Sequence, residues 1–350
     1  MALKPPVEVP QGAIRLNTDS QKLEFFAQDQ WWEMATDVGS DNTGGTRGCI
    51  GWKFDNTGGS GGDGVMDYVT IESTGNAIDF GDLTVDFYGS ACGSATRGFW
   101  FGGYLSGANN TIEYVEFATT SNGIDFGDLT GTTMYNPSGV SDKTRGIRVG
   151  GATSPTSAID IIDYWTMSIK GNAVDFGDMA TATRFSNSCN SATRGCIAAG
   201  SWQNPSPYNT NRIEYITMQS TGNGLDFGDL SQRYLDGGNG ACGSATRGIF
   251  CHGYTQPGGS HVNTVSYITI ASTGNASDFG DTSQIRGNSA TTSSSTRGIN
   301  AGGYSPDSPN YVNTIDYCTI ATTGNFTDFG DRTVVGSYCS GTSNGHGGLG

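Results

Sequence analysis

The chain has little charge and an excess of acid. Only 15% of its 350 residues are charged, and 18 Lys and Arg face 33 Asp and Glu, a net charge of −15. Nucleic-acid binders usually carry a basic footprint that neutralises phosphates, so this composition argues against nucleic acid as a partner. It argues equally against adhesion to an anionic membrane surface.

Long apolar runs are also lacking. No stretch approaches the roughly 18 apolar residues that a membrane-spanning helix needs, so we expect no membrane insertion. The first twelve residues, MALKPPVEVPQG, lack the apolar centre of a secretory signal peptide. We therefore expect a soluble protein that is synthesised in a cytoplasm.

Proline is scarce, whereas glycine and aromatic residues are abundant. With 10 Pro and no three-residue period among its 55 Gly, the chain is not collagen-like. Aromatic residues make up 11% of the chain, which disfavours disorder. This combination indicates an all-β protein with many tight turns.

Three short motifs recur about every fifty residues in the same order. Thr-Arg-Gly occurs six times, with arginines Arg47, Arg97, Arg145, Arg194, Arg247 and Arg297. Asp-Phe-Gly-Asp also occurs six times, with first aspartates Asp79, Asp125, Asp175, Asp226, Asp278 and Asp328. A β-like segment such as NTIDYCTI carries the third motif, a tyrosine at positions 68, 114, 164, 215, 267 and 317. Such periodicity is the mark of a repeat architecture.

Each repeat predicts four short strands and almost no helix. Apolar residues on both faces of the NTIDYCTI strand require a neighbouring sheet on each side, which favours a closed ring. We predict a six-bladed β-propeller over residues 41–350, with an incomplete seventh blade as the alternative. Either VVGSYCSGTSNG near the end of the sequence or VGSDNTGG before Arg47 would complete the sheet of the first blade.

The repeats and the leader resemble known families. Gly-Gly-Tyr, then Asn-Thr-hydrophobic-x-Tyr, then a short aromatic turn resembles the kelch repeat, and the array is similar to kelch-like arrays in phage structural proteins. The segment QGAIRLNTDSQKLEFFAQDQWWEMA contains three β-like runs, AIRLNT, KLEFFA and QWWEMA, which predict a short N-terminal β extension. The same segment resembles N-terminal segments of phage tail-fibre and other virion proteins. This resemblance implies that residues 1–40 attach the chain to other virion proteins, in multiple copies per particle.

The candidate site residues fall into two groups. We interpret the repeated arginines and aspartates as structural, with each arginine bound to a carboxylate and nearby carbonyls. Two alternatives are a ring of arginines that binds an anion and a set of aspartates that binds Ca²⁺. The connections between the second and third strands vary and should crowd one rim, where recognition tends to reside. They supply the candidate binding residues Trp52, Trp202, Tyr208 and Tyr311.

Cysteines and histidines indicate neither disulfides nor a metal centre. Cys92, Cys189, Cys242 and Cys339 align as equivalent residues of different blades, as do Cys49 and Cys196, and equivalent positions lie too far apart for a bridge. We expect free, buried thiols. Only His252 and His261 could form a metal-binding pair, and we expect no metal and no cofactor.

The resemblance implies a phage structural protein, located in the virion as a tail-fibre, neck or capsid appendage, and with no catalytic constellation in the sequence we expect it to be non-enzymatic. Its propeller would contact a protein or a host surface glycan. Two alternatives remain open: a carbohydrate-active or oxidative enzyme on a propeller scaffold, and an intracellular kelch-type adaptor.

Overall fold

The computed structural model describes two units, Met1–Asn42 and Thr43–Gly350. The described residues are 10, 12–17, 22–27, 30–33, 46–54, 62–84, 88–103, 107, 109–133, 135–154, 157–201, 210–235, 240–251, 253–256, 259–307 and 310–350.

The N-terminal unit contains a three-stranded antiparallel sheet. Its strands run in chain order and are Ile14–Asn17, Lys22–Ala27 and Gln30–Glu33. The Arg15 side chain pairs with Glu24 at 2.7 Å and lies over the Trp31 ring. The three β-like runs of the leader therefore form strands.

The second unit is an all-β, six-bladed propeller, as predicted. Each blade is a four-stranded antiparallel sheet. From the axis outwards, the strands are Ser340–Ser343, Arg47–Phe54, Gly62–Thr70 and Ile78–Asp82 in blade 1; Ser90–Gly93, Arg97–Phe101, Asn109–Glu116 and Ile124–Thr133 in blade 2; Ser138–Ser141, Arg145–Val149, Ile161–Thr166 and Val174–Asp178 in blade 3; Asn187–Asn190, Arg194–Ala198, Arg212–Thr217 and Leu225–Asp229 in blade 4; Ala241–Gly243, Arg247–Cys251, Thr264–Thr269 and Ser277–Asp281 in blade 5; and Ala290–Ser293, Arg297–Ala301, Thr314–Thr319 and Thr327–Asp331 in blade 6.

A few short elements lie outside the blades. Two strand pairs join Ala152–Ser154 to Ser157–Ala158 and Arg233–Leu235 to Tyr254–Gln256. A 3₁₀ helix, Gly347–Leu349, follows the last strand.

The last strand closes the ring. Ser340–Ser343 pairs with Arg47–Phe54, so the C-terminal segment completes the first blade. The alternative segment, residues 38–45, lies outside the described residues. Each innermost strand contacts those of both adjacent blades, all the way round. Thr342, opposite Cys49, occupies the place of Cys92 in blade 2, so the predicted equivalence of Cys339 was wrong by three residues.

Six hydrophobic clusters, one at each blade interface, form the core. The cluster between blades 6 and 1 joins Ile299 and Ile315 to Ile50 and Val69, all at most 3% exposed. All eight cysteines are free and buried. Both faces of a blade are therefore apolar because each must pack against a neighbour.

The Thr-Arg-Gly arginines link each blade to the next. Arg145 Nη1 donates to the Met218 carbonyl at 3.1 Å, and its guanidinium lies over the Tyr164 ring of its own blade. The other five repeat both contacts, donating to the carbonyls of Phe117, Met167, Ile270, Ile320 and Ile71. The arginines are half-buried and bind carbonyls, and Arg97 also pairs with Glu116 at 2.8 Å.

The Asp-Phe-Gly-Asp motif forms a second link between blades. In blade 4, Gly274 of blade 5 donates to the Phe227 carbonyl at 2.7 Å, and Asp229 N–H donates to Asn275 Oδ1 at 3.0 Å. Gly228 (φ +146°) lies so close to blade 5 that a Cβ would be 2.4 Å from the Gly274 carbonyl. The same contact recurs at Gly81, Gly127, Gly177, Gly280 and Gly330.

The first aspartate of that motif does not bind the repeated arginines. Its six copies are exposed on the outermost strands, whereas the phenylalanine beside each is buried. The carboxylate expected to bind each arginine is therefore not this aspartate. The motif is structural through its phenylalanine, its glycine and its backbone.

Buried carboxylates make a third link, which the sequence analysis did not single out. Asp163 on the third strand of blade 3 accepts from Arg148 Nε and Nη2 at 2.9 and 2.7 Å and from Thr130 N and Oγ1 at 3.0 and 2.7 Å. Thr130 belongs to the outermost strand of blade 2. Equivalent acids on other third strands are Asp67, Glu113, Glu214 and Asp316.

Candidate functional site: an aromatic basin on the propeller axis

The variable connections all lie on one face of the propeller. Every second strand begins at a Thr-Arg-Gly arginine, and the strands of a blade are antiparallel. The connections between second and third strands therefore share a face with the linkers, the segments that join the outermost strand of one blade to the innermost strand of the next. We call this the loop face and the opposite one the TRG face.

Four linkers bend sharply just before they reach the axis. Tyr88, Phe185, Asn288 and Tyr338 each lie two residues before an innermost strand and have φ between 54° and 66°. This left-handed conformation costs a residue with a Cβ roughly 1–2 kcal/mol. Such strain at a bulky aromatic residue is a pointer to function, because structure elsewhere must maintain it.

The bends present aromatic rings to the axis. Tyr88 and Tyr338 have ring centroids 4.4 Å apart, and Tyr88 also contacts Tyr135 at 5.1 Å, which in turn contacts Phe185 at 5.9 Å. On the other side of Tyr338, ring contacts run through Phe54, Tyr311, Tyr304, His261 and Tyr254. An arc of contacting rings thus surrounds the axis.

These rings line a cavity of about 330 Å³, which we call the aromatic basin. Its lining residues are Phe54, Tyr88, Phe185, Tyr254, His261, Asn288, Tyr304, Tyr311, Ser337 and Tyr338. Phe185 enters from blade 4 and Tyr338 from blade 1, so the basin lies across the axis. Its size falls within the usual range of small-molecule sites, roughly 300–1,000 Å³.

Burial keeps Tyr88 and His261 of the basin uncharged at neutral pH. Burial, and next the adjacent Tyr338, raise the pKa of Tyr88 above its ordinary value, so this phenol keeps its proton. Burial lowers the pKa of His261 below 6.5, so its imidazole is neutral and has one nitrogen free of a proton. The basin therefore offers ring faces together with neutral hydrogen-bonding groups.

The C-terminal segment fills the TRG end of the axis. His346 Nε2 lies 2.7 Å from the Gly93 carbonyl, and its Nδ1 accepts from Gly348 N–H at 3.1 Å. A Cβ on Gly347 would lie 2.4 Å from the carbonyls of Asn190 and Ser244. The remaining cavity among the innermost strands is about 50 Å³. Among the described residues, the axis is therefore open as a basin only at the loop face.

The predicted binding residues have different outcomes. Tyr311 lies in the basin. Trp52 does not belong to any exposed rim: it is 1% exposed within the second strand of blade 1 and packs at the interface with blade 2. Trp202 and Tyr208 lie outside the described residues.

Neither a cluster of metal ligands nor a membrane-spanning helix is found among the described residues. Among the described residues, no three His, Cys, Asp or Glu side chains converge as metal ligands would. His261 lies in the basin, and His252 lies outside the described residues. The described part of the chain holds no helix with the length and hydropathy of a transmembrane span.

The function of this chain has to be inferred from its fold and from the basin. No protein-family model matches the sequence, and no curated protein matches it significantly.

Most of the basin was not predicted, although the sequence carries a signal for its linker residues. The position nine residues before a Thr-Arg-Gly arginine holds Tyr88, Asn136, Phe185, Gly238 and Asn288 in successive repeats. Glycine and asparagine are the residues that tolerate a left-handed backbone. Where this position holds Tyr88 or Phe185 instead, an aromatic ring is present despite the cost of its left-handed backbone.

Proposed function

We propose that this chain is a non-enzymatic structural protein of a phage particle that presents the loop face of its propeller to a binding partner. The observation that carries the proposal is the aromatic basin. It is concave, lies on the axis of a rigid ring and is lined by groups suited to binding. The partner is a protein or a host surface glycan.

The scaffold supports a role in recognition because the basin is held from all sides. The arginine, glycine and carboxylate links described above join successive blades into a closed ring. Loops and linkers positioned by such a scaffold are common places for binding sites. Preformed sites lose less free energy to ordering when a ligand binds.

The chemistry of the charged groups supports binding in preference to catalysis. The buried acids Asp163 and Asp316 accept hydrogen bonds from arginines and strand or linker residues. The acids of the Asp-Phe-Gly-Asp motif lie on the perimeter, far from the axis. The basin itself contributes rings, hydroxyls, an amide and a neutral imidazole.

Attachment to the particle is assigned to residues 1–40. The resemblance of this leader to phage tail-fibre segments and its separate three-stranded sheet support that assignment. In this proposal the leader contacts other virion proteins and the chain is made in the host cytoplasm before assembly. A kelch-like ancestry of the repeats fits the same picture.

Deletion of residues 1–40 tests the proposal. Particles produced with the truncated chain should lose the propeller, as measured by immunodetection on purified particles. Circular dichroism and a thermal melt of the truncated protein check that the propeller remains folded. The matched control, Tyr311→Ala in the full chain, should be incorporated normally. Undiminished incorporation of the truncated chain would defeat the attachment role, and absence of the wild-type chain from particles would defeat the proposal as a whole.

A further inference from the structure

Resting on the proposed function, we infer that the aromatic basin is a saccharide site that takes an uncharged mono- or disaccharide unit. The inference follows from three properties of the lining: ring faces, neutral hydrogen-bonding groups and the absence of a counter-charge. Together they select one chemical class of ligand.

Ring faces suit the apolar side of a sugar. An aromatic ring carries a negative face, and the C–H groups of a pyranose are polarised positively by the adjacent oxygens. The basin offers Tyr311, Tyr304 and Tyr338 as half-buried rings around one cavity. Rings at successive angles, such as Tyr304 and Tyr311 at 75°, can contact more than one side of the same ligand.

Neutral polar groups suit the hydroxyls of a sugar. Asn288 brings an amide with both donor and acceptor capacity, and tyrosine hydroxyls can both donate and accept. His261 is held neutral by burial, so its unprotonated nitrogen can accept a hydroxyl proton. A ligand that carries hydroxyls can add hydrogen bonds to these groups, which a purely apolar ligand cannot.

The charge distribution disfavours acidic sugars. The described lining contains no lysine or arginine. The guanidinium of Arg184 lies over the ring of the lining residue Phe185 at 5.1 Å and donates from Nε to Ser201 Oγ at 3.2 Å. A carboxylate-bearing sugar entering the basin would lose hydration without a facing cation, and the protein's net charge of −15 would repel it.

A quaternary ammonium ion is the chief rival ligand because aromatic cages recognise such cations. It has no hydrogen-bonding groups and would not use Asn288 or His261. It is also small for a cavity of about 330 Å³. The volume and the polar lining therefore favour a saccharide.

The test uses the full-length protein and defined probes. Lactose, maltose and N,N′-diacetylchitobiose are titrated by calorimetry and by ligand-observed NMR, with galacturonate and tetramethylammonium as charged probes. At least one neutral disaccharide should bind, and Tyr311→Ala should weaken its binding about tenfold or more. Tyr311→Phe, which keeps the ring, should weaken it less than Tyr311→Ala does. Tyr317→Phe is the matched control, since Tyr317 is a half-buried tyrosine of the same blade that lies under Arg297; it should leave binding unchanged.

Four other results of these titrations would each overturn the saccharide assignment. Binding of tetramethylammonium alone, lost in Tyr311→Ala, would overturn the saccharide assignment and leave the basin as a recognition site. Binding of galacturonate alone, of no probe, or equal binding by Tyr311→Ala and wild type would also overturn it. None of these outcomes alters incorporation of the chain into particles, so failure of this inference is distinguishable from failure of the proposed function.

Discussion

Replacing Asp163 with asparagine should destabilise the propeller strongly, because it removes the charge from a fully buried ion pair. The side chains of Asp163 and Arg148 are both 0% exposed and lie 2.7 Å apart. In Asp163→Asn the guanidinium of Arg148 would remain buried without a counter-charge. The amide would also turn one NH₂ group toward donors that now face a carboxylate oxygen.

The size of the effect follows from the contacts that are lost. Asp163 accepts four hydrogen bonds, two from Arg148 and two from Thr130. Three of them reach Oδ2 and one, from Arg148 Nε, reaches Oδ1, so an asparagine whose oxygen takes the Oδ2 position can keep at most three. Hydrogen bonds to charged groups contribute roughly 1.5–3 kcal/mol each, so one bond of this size is lost and the other three weaken because their acceptor is no longer charged. The total is therefore in the range of roughly 3–5 kcal/mol expected when one partner of a buried ion pair is removed.

Urea unfolding followed by tryptophan fluorescence and circular dichroism measures the change. The matched control is Glu116→Gln, because the Glu116–Arg97 pair has a similar distance, 2.8 Å, but side chains 44% and 25% exposed. Exposed pairs contribute about 0–1 kcal/mol, so this control should be nearly neutral. Equal losses in the two variants, or a loss below about 1 kcal/mol for Asp163→Asn, would refute the burial argument.

Two further perturbations test the blade contacts and the axial segment. Gly228→Ala places a Cβ 2.4 Å from the Gly274 carbonyl at φ +146° and should lower the free energy of unfolding in urea by about 2–4 kcal/mol. The control Gly131→Ala meets open space and should change stability by less than about 0.5 kcal/mol. Similar values for the two variants would contradict the glycine requirement. Burial lowers the pKa of His346 in the folded protein, and protonation of Nδ1 would break its hydrogen bond from Gly348 N–H. The stability that the neutral imidazole contributes is therefore fully present above pH 6.5 and is lost as the pH falls from 6.5 through the folded pKa. The urea midpoint should therefore fall more between pH 7.5 and 5 in the wild type than in His346→Gln, and parallel pH profiles would exclude His346 as the cause.

The fold was predictable because the residues that define a blade contact are repeated. Arg47 and its equivalents must donate to the next blade, and Gly228 and its equivalents must leave space for it, so both recur with the blade period. The sequence could not show which atoms accept. The arginines bind backbone carbonyls, which carry no sequence signal, and within the described part of the chain the carboxylate expected beside each arginine is shown only for Arg97, by Glu116.

Most of the basin was not predicted because its residues come from two kinds of segment, although the linker position of Tyr88 recurs in other repeats. Tyr88 and Phe185 lie in linkers, whereas Tyr311 and His261 lie between second and third strands. Only ring closure brings them together on the axis. Trp52 failed as a candidate for a related reason: aromatic character and a variable segment do not reveal whether a side chain points to the rim or between blades.

The contrast between repeated and variable residues also explains why the basin faces one way. The TRG face is built from residues that six repeats share, and its axial opening is filled by the segment around His346 and Gly347. The loop face is built from residues that differ, and there Tyr88, Phe185 and Tyr338 keep left-handed backbones that glycine would adopt more easily. A purely structural constraint would favour glycine or asparagine at all these positions. Retention of rings at several of them therefore argues that the basin is maintained for contact with a ligand and that the ligand enters from the loop face.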